Sequence, residues 1–225
     1  YIHPLVKDEN GQKMSKSKGN VIDPLDLIEK YGSDALRFTL TNLSTQGRDI
    51  KLSDKLVENS RNFVTKIWNV ARFSQFNNFK YEKEFYPQLC ELPVNNWILS
   101  RFFETQNKVI RNLENFKFNL MISELYQFIW SDFCDFYIEL SKNYLKEDKN
   151  KKEISNVFNF VFSRSLNLIN PVIPFITEKL GKELGFIQDS FFETKLHVDL
   201  KFKFKSKEID DFKKFIELIK KTRFE

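Results

Sequence analysis

The sequence predicts a mainly α-helical protein in which long amphipathic helices pack as a bundle. In each long segment, apolar residues recur every three or four positions, which is the spacing of one helix face. Most prolines and glycines stand between these segments, where helices begin and end. Hydrophobic residues make up 41% of the 225 positions, and 25 residues are Phe. The chain can therefore bury a core in which aromatic rings dominate.

The N-terminal segment predicts an extended lead-in over residues 1–10, a loop over 11–20 and two short helices. Asp23 caps the first helix and Pro24 suits its first turn, while Gly32 marks its end. Ser33 is predicted to cap the second helix. The polar segment 44–52 that follows predicts a domain boundary.

Long helices are predicted through the rest of the chain, over residues 53–76, 94–113, 117–146, 153–170 and 207–223. The helix 117–146 is apolar on two faces, so it belongs at the centre of the bundle. Its Asp132 and Asp135 are expected to act as caps or ion-pair partners and not as a catalytic carboxylate pair. Alternation of apolar and charged residues over 196–205 predicts a strand.

The loop Gly11-Gln12-Lys13-Met14-Ser15-Lys16-Ser17-Lys18-Gly19-Asn20 is the most informative stretch of the sequence. Lysine ammonium groups are flexible point charges that suit phosphate oxygens, and serine hydroxyls and loop amides add neutral donors. A preorganised donor aimed at charge that grows during a reaction is worth roughly 3–4 kcal/mol of barrier. The pattern predicts a polyphosphate-binding loop, and the alternative is a solvated surface turn.

Residues Lys13 to Ser17 spell the KMSKS signature of the class I aminoacyl-tRNA synthetases. The chain resembles this family over four further stretches: Lys18-Gly19-Asn20-Val21-Ile22-Asp23-Pro24, Asp34-Ala35-Leu36-Arg37, Gln46-Gly47-Arg48-Asp49-Ile50 and Lys66-Ile67-Trp68-Asn69. The first resembles the valine, isoleucine and leucine enzymes alike, and the last two are most similar to the valine-specific members. The resemblance is dense over residues 1–76 and sparser as far as Glu178. Asn170 departs from the pattern, because the valine enzymes usually carry histidine there.

The resemblance implies two parts. Residues 1–45 would be the end of a Rossmann-type catalytic domain with the KMSKS loop, and residues 46–225 a helical anticodon-binding domain without its coiled-coil arm. The Asp34–Arg37 motif would pack the two parts together through core contacts and an ion pair, with no chemistry at Arg37.

The resemblance also implies the chemistry of the loop. Lys16, assisted by Lys13, would stabilise the phosphates of ATP while valine attacks and pyrophosphate leaves. The implied ATP-binding set is Lys13, Met14, Ser15, Lys16 and Ser17. Mg²⁺ would arrive with ATP as part of the substrate, and no bound metal is expected in this segment. The parent enzyme would then transfer valine to tRNA(Val).

A polar stripe on the helix 53–76 is the candidate tRNA-binding surface; its members are Lys55, Asn62, Lys66, Asn69 and Phe73. Cations that hold phosphates beside an exposed ring that stacks bases are typical of single-strand RNA surfaces. The alternative is a solvated face on which Phe73 covers a neighbouring loop.

Composition adds weaker constraints. A net charge of +5 is compatible with a polyanionic partner. Cys90 and Cys134 form no CxxC pair, which favours a reducing cytoplasmic location, and we expect a monomer.

The chain starts at Tyr1 and lacks a His-Ile-Gly-His type motif and an editing domain, so we expect an inactive fragment of a longer enzyme. The alternatives are an isoleucine-enzyme fragment, which Gln46–Asp49 disfavours, a non-catalytic helical RNA-binding module, and a purely structural helical domain.

Overall fold

The computed structural model describes residues 2–196 and 206–223. The strand predicted for 196–205 lies almost wholly outside these ranges. The described elements are β1 (Val6–Lys7), α1 (Pro24–Tyr31), α2 (Ser33–Leu43), β2 (Ile50–Lys51), α3 (Asp54–Phe76), α4 (Pro93–Glu114), α5 (Phe118–Gln127), a π-helical segment (Phe128–Ile138), α6 (Glu139–Tyr144), α7 (Asp148–Ile169), α8 (Pro174–Glu183) and α9 (Ser206–Arg223). Short 3-10 turns cover Lys16–Lys18, Pro87–Leu89 and Phe191–Glu193. The mainly α-helical prediction is confirmed.

The first residues of the two N-terminal helices agree only in part with the sequence-based prediction. The Asp23 carboxylate accepts a hydrogen bond from the Leu25 amide at 2.8 Å, which confirms the predicted cap of α1. Gly32 ends this helix with φ +90°, a conformation that suits a residue without Cβ. The predicted cap at Ser33 is wrong, because Ser33 is the first residue of α2 and its side chain makes no capping bond.

The segment 44–52 is not wholly the polar loop that the sequence predicts. β2 pairs in parallel with β1, with Val6 opposite Ile50 and Lys7 opposite Lys51. Ile50 and Leu52 are buried in a small apolar cluster with Leu27, Ala35, Leu36 and Val57. This cluster contains residues from both sides of position 45, and the domain boundary stays a prediction.

The main core lies between α3, α4, α5, the π-helical segment and α7. Phe133 stands near its centre. Its ring lies 5.2 Å from the ring of Phe158, 5.5 Å from Tyr137 and 6.1 Å from Phe162. Aromatic pairs at these separations add to the burial of apolar surface, so the many Phe residues hold the bundle together as predicted.

The predicted helix 117–146 is central but not uniformly α-helical. Its middle forms the π-helical segment, in which eight of the eleven residues are buried. A π-helix bonds residues five apart, and Phe128 and Phe133, which are five apart, stack at 6.4 Å. Asp132 pairs with Arg101 at 2.9 Å and Asp135 pairs with Lys66 at 2.7 Å, so the expectation of ion-pair partners is confirmed.

Residues Asp34 and Arg37 clamp α2 to the turn before α8. The Asp34 carboxylate accepts hydrogen bonds from the amides of Phe175 (3.3 Å) and Ile176 (2.7 Å), so it caps α8. Arg37 donates to the carbonyls of Pro171 and Val172, both at 2.9 Å. The core contacts agree with the prediction, but the predicted ion pair is replaced by bonds to backbone groups: free amides at the start of α8 for Asp34 and carbonyls in the turn between α7 and α8 for Arg37.

No helix in the described ranges is long and apolar enough to cross a membrane.

Candidate functional site

The loop 11–20 is closed at its base by two short side chains. Asn20 accepts a hydrogen bond from the Ser15 amide at 2.9 Å and donates one to the Asp8 carboxylate at 2.8 Å. The other carboxylate oxygen of Asp8 accepts from the Gln12 amide at 2.7 Å. The hydrogen bond from Asn20, followed by that from Gln12, holds the pKa of the Asp8 carboxyl below its ordinary 3.8. Asp8 is therefore an anion that fastens both ends of the loop.

The cations of the loop point away from this base. Lys13, Lys16 and Lys18 are exposed, and none forms an ion pair with another residue of the described ranges. Met14 instead packs against the small apolar cluster. A 3-10 turn over Lys16–Lys18 ends at Gly19 with φ +65°, where a residue with a Cβ would be strained.

The loop thus offers unneutralised ammonium groups on a backbone that its own hydrogen bonds hold in place. Ser15 and Ser17 lie between the lysines, with their hydroxyl oxygens 3.2 Å apart. Such an arrangement can bind a polyanion and stabilise charge that develops on it, without a general base. Sequence reasoning found the lysines but missed Asp8 and Asn20, whose only sequence signal is that short polar residues flank a glycine-bounded loop.

The polar stripe on α3 is partly as predicted. Lys55, Asn62 and Asn69 are exposed. Lys66 is paired with Asp135, and its ammonium lies 4.2 Å from the centre of the Trp130 ring. A cation held by a carboxylate and an aromatic face is positioned but remains accessible at its outer side.

The exposed ring predicted at Phe73 is wrong. Phe73 is half-buried, with its ring 5.9 Å from that of Phe79 and 5.8 Å from that of Phe158. These partners come from the connection after α3 and from α7, which a helical pattern within α3 does not report. The residue still lines a groove that is open to solvent.

A groove of about 530 Å³ brings three of the predicted stripe residues together. Lys66, Asn69 and Phe73 line one wall. The opposite wall comes from the π-helical segment and α6 and is formed by Cys134, Asp135, Ile138, Glu139 and Lys142. Lys55 and Asn62 lie outside this groove. The groove joins a cation, a carboxamide and an aromatic ring, which is a set that can contact a nucleotide.

The two cysteines are free and buried. Burial raises the pKa of the thiols of Cys90 and Cys134 to about 12. Both are therefore protonated and unreactive near neutral pH. No group of three or more His, Cys, Asp or Glu residues able to hold a metal ion lies within residues 2–196 and 206–223.

Two protein families match this chain, and their matched regions together cover most of it. Residues 95–225 match the anticodon-binding domain of tRNA ligase, and residues 1–53 match the tRNA synthetases class I (I, L, M and V). The first region contains the helices from α4 onward and the second contains the loop, whereas α3, with the polar stripe, lies between the two matches.

Individual proteins give a consistent result. The Valine--tRNA ligase of Pelagibacter ubique (strain HTCC1062) is 47% identical over 182 residues, which is 80% of this chain and 21% of that protein. That of Zymomonas mobilis subsp. mobilis is 45% identical over 190 residues, 82% of this chain and 22% of that protein. The chain therefore spans about a fifth of the length of the relatives it matches.

Among solved structures, the agnB2 LeuRS of Agrobacterium radiobacter K84, crystallised as a ternary complex with tRNA and LeuAMS, has the same fold. It superposes with a TM-score of 0.68 over 93% of this chain and 24% of that chain, at 22% identity.

Proposed function

The chain belongs to the tRNA ligases that carry an anticodon-binding domain, and we propose that it is part of a valine–tRNA ligase. The parent enzyme activates valine with ATP, which brings Mg²⁺ as part of the substrate, and transfers valine to tRNA(Val). This segment supplies the phosphate-binding loop and a tRNA-binding surface. The high identity to proteins named Valine--tRNA ligase supports valine over isoleucine.

The loop would act by electrostatic stabilisation. Lys16 and Lys13 meet the ATP phosphates as the valine carboxylate attacks the α-phosphate and pyrophosphate departs. Met14, Ser15 and Ser17 complete the loop's contact with ATP. The observation that carries this role is that the lysines are exposed and unpaired on a loop fastened by Asp8 and Asn20.

The helical part would hold the tRNA. Residues 1–45 belong, in this proposal, to the catalytic domain, and residues 46–225 form the anticodon-binding part. Lys55 and Lys66 would contact phosphates, Asn62 and Asn69 would offer hydrogen bonds, and the ring of Phe73 would contact a base. We further propose that the protein is a monomer and that it is cytoplasmic; the two free cysteines support the second of these points.

The loop proposal is tested in the full-length ligase by Lys16→Ala. Adenylate formation, followed as valine-dependent ATP–pyrophosphate exchange, should slow about a hundredfold or more, because a donor to developing charge is lost. Lys83→Ala, which removes an exposed lysine from the connection between α3 and α4, is the control and should leave the rate unchanged. Near-normal exchange in the Lys16→Ala enzyme would refute the assignment.

The tRNA proposal is tested by binding of this chain to transcribed tRNA(Val), tRNA(Ile) and tRNA(Val) with an altered anticodon, at two salt concentrations. Preference for the valine anticodon, weakened by salt, is the expected result. Equal binding of all three would place specificity outside this segment, and no binding at low salt would argue for a purely structural domain.

A further inference from the structure

A second pocket lies beside the polar stripe of α3, nearer to the helix start than the groove. Its volume is about 260 Å³, and its walls come from α2, α3 and α5: Phe38, Thr39, Asn42, Leu43, Leu56, Asn59, Ser60, Ser123 and Tyr126. Asn59 lies four residues after Lys55 and three before Asn62, so it belongs to the same helix face. The pocket therefore opens on the side of the molecule that carries the proposed tRNA contacts.

The polar groups on the pocket floor are already satisfied. The Thr39 hydroxyl donates to the Ala35 carbonyl at 2.8 Å and lies 2.7 Å from the Ser60 hydroxyl. Ser60 in turn approaches the Leu56 carbonyl at 3.1 Å. These hydroxyls hold α2 against α3 and have little capacity left for a ligand.

The polar groups at the mouth are free. Asn42, Asn59, Ser123 and Tyr126 are exposed, and their side-chain polar atoms make no hydrogen bond to other residues of the described ranges. Two carboxamides supply donors and acceptors, and the two hydroxyls can act as either. All of them surround one depression whose remaining walls include the apolar side chains of Phe38, Leu43 and Leu56.

Tyr126 gives this mouth an aromatic wall that is held in place. Its ring stacks on Trp130 at 5.5 Å with an interplanar angle of 19° and lies 4.9 Å from the ring of Phe63. The side chain nevertheless keeps 37% of its surface exposed. Because Lys66 sits over the same Trp130 ring, this wall adjoins the groove.

We propose that this pocket binds the base and ribose of one unpaired tRNA nucleotide, distinct from those held at the groove. This inference rests on the proposed tRNA-binding function. The pocket walls carry no charged residue, so they do not suit a phosphate. Carboxamides beside an aromatic ring suit a base edge and face, and the hydroxyls suit a 2′-OH, which distinguishes RNA from DNA. Asn59 lies about 10 Å along the helix from Lys66, which leaves room for a separate nucleotide.

The test compares Asn59→Ala, Ser123→Ala and Tyr126→Phe with wild type in binding of this chain to transcribed tRNA(Val), as Kd against salt concentration. Each variant should weaken binding about three- to tenfold, as expected for one lost hydrogen bond. The salt slope should stay unchanged because no phosphate contact is lost, whereas Lys66→Ala should reduce the slope by about one.

Asn107→Ala, an exposed asparagine on α4, is the matched control and should bind as wild type. The melting temperatures of the three variants should equal that of wild type, because the deleted polar groups form no hydrogen bond to other residues of the described ranges.

If wild type binds tRNA in a salt-dependent way and all three variants bind equally well, the proposed nucleotide pocket is refuted and the proposed function is retained. A variant that lowers the salt slope would also overturn it, because the pocket would then hold a phosphate. Absence of any tRNA binding by wild type at low salt would overturn both proposals.

Discussion

Asp8 and Asn20 show how two short side chains shape a loop rich in lysine. Each bonds both to the other and to a loop amide. The lysines repel one another and point outward, so the stabilising bonds must come from residues at the base. A loop organised in this way holds the backbone that carries the lysines in place before a ligand arrives, which reduces the entropy that binding must overcome.

Removing the Asn20 carboxamide should loosen this loop. In Asn20→Ala the amide of Ser15 loses its acceptor, so amide hydrogen exchange at Ser15 should become about tenfold faster, equivalent to roughly 1.4 kcal/mol. The measurement is residue-resolved exchange by NMR. Asn10→Ala, an exposed asparagine in the preceding turn, should leave exchange at Ser15 as in wild type. Equal rates in Asn20→Ala and wild type would show that the side chain does not hold the loop.

The Lys66–Asp135 pair is a second contact that acts at the scale of one residue. Asp135→Asn should release Lys66 for phosphate and tighten tRNA binding about threefold, within the range of a partly exposed ion pair. Glu139→Gln removes an equal charge from the groove while leaving Lys66 paired, because Glu139 bonds Lys142. The affinity of the two variants for tRNA(Val) should therefore differ. If both gain equally, the effect is net charge alone.

At the scale of elements, the clamp made by Asp34 and Arg37 joins α2 to the start of α8. Asp34→Ala should lower the free energy of unfolding by about 1–2 kcal/mol, because two amides at the helix start lose their acceptor. Asp34→Asn keeps an acceptor and should cost less. Urea denaturation followed by circular dichroism measures both. Equal losses in the two variants would argue against a capping role.

The stability difference between wild type and Asp34→Asn should change with pH in a defined direction. Burial, the largest influence, raises the pKa of the Asp34 carboxyl above its ordinary 3.8. The folded state therefore holds the proton more tightly, so this group's contribution is greatest below pH 3.8 and falls as pH rises through the higher folded pKa. The carboxamide of the variant does not titrate, so the stability deficit of Asp34→Asn relative to wild type should be largest below pH 3.8 and should shrink as pH rises above it.

Several elements follow from the sequence because their causes are local. Asp23, Pro24 and Gly32 set the bounds of α1 through capping and backbone conformation. Apolar spacing gives α3 and α4 because each buries one face. The strand pair and the π-helical segment could not be predicted in this way. β2 depends on β1, which lies far earlier in the chain, and the π-helical hydrogen bonding adds no change in apolar pattern.

The candidate site likewise contains some features that local sequence predicts and others that depend on distant parts of the chain. Its lysines are recognisable from the order Lys13 to Ser17, whereas the Asp8–Asn20 bond needs a folded loop. The prediction that the Phe73 ring is exposed is wrong because Phe158, which covers part of it, lies on α7. The pocket around Asn59 and Tyr126 joins three helices, and no single segment carries its pattern.

For the whole molecule, the aromatic core around Phe133 should dominate stability. Phe133→Ala should lower the free energy of unfolding by about 3–5 kcal/mol, because it leaves a cavity among four rings. Phe192→Ala, at a residue 74% exposed, should change it by less than about 0.5 kcal/mol. Guanidinium denaturation of both variants measures the contrast, and similar losses would contradict a core centred on Phe133.

The clamp between Asp34 and the start of α8 also imposes an order in time. Its partners stand 141 and 142 residues apart, so it can close only after the whole intervening chain has been synthesised. At the usual pace of translation this takes roughly 7 to 28 seconds. During that interval α2 leaves the ribosome with its carboxylate unengaged, and the N-terminal part, with its lysine-rich loop, acquires its final attachment only when the helical bundle behind it is nearly complete.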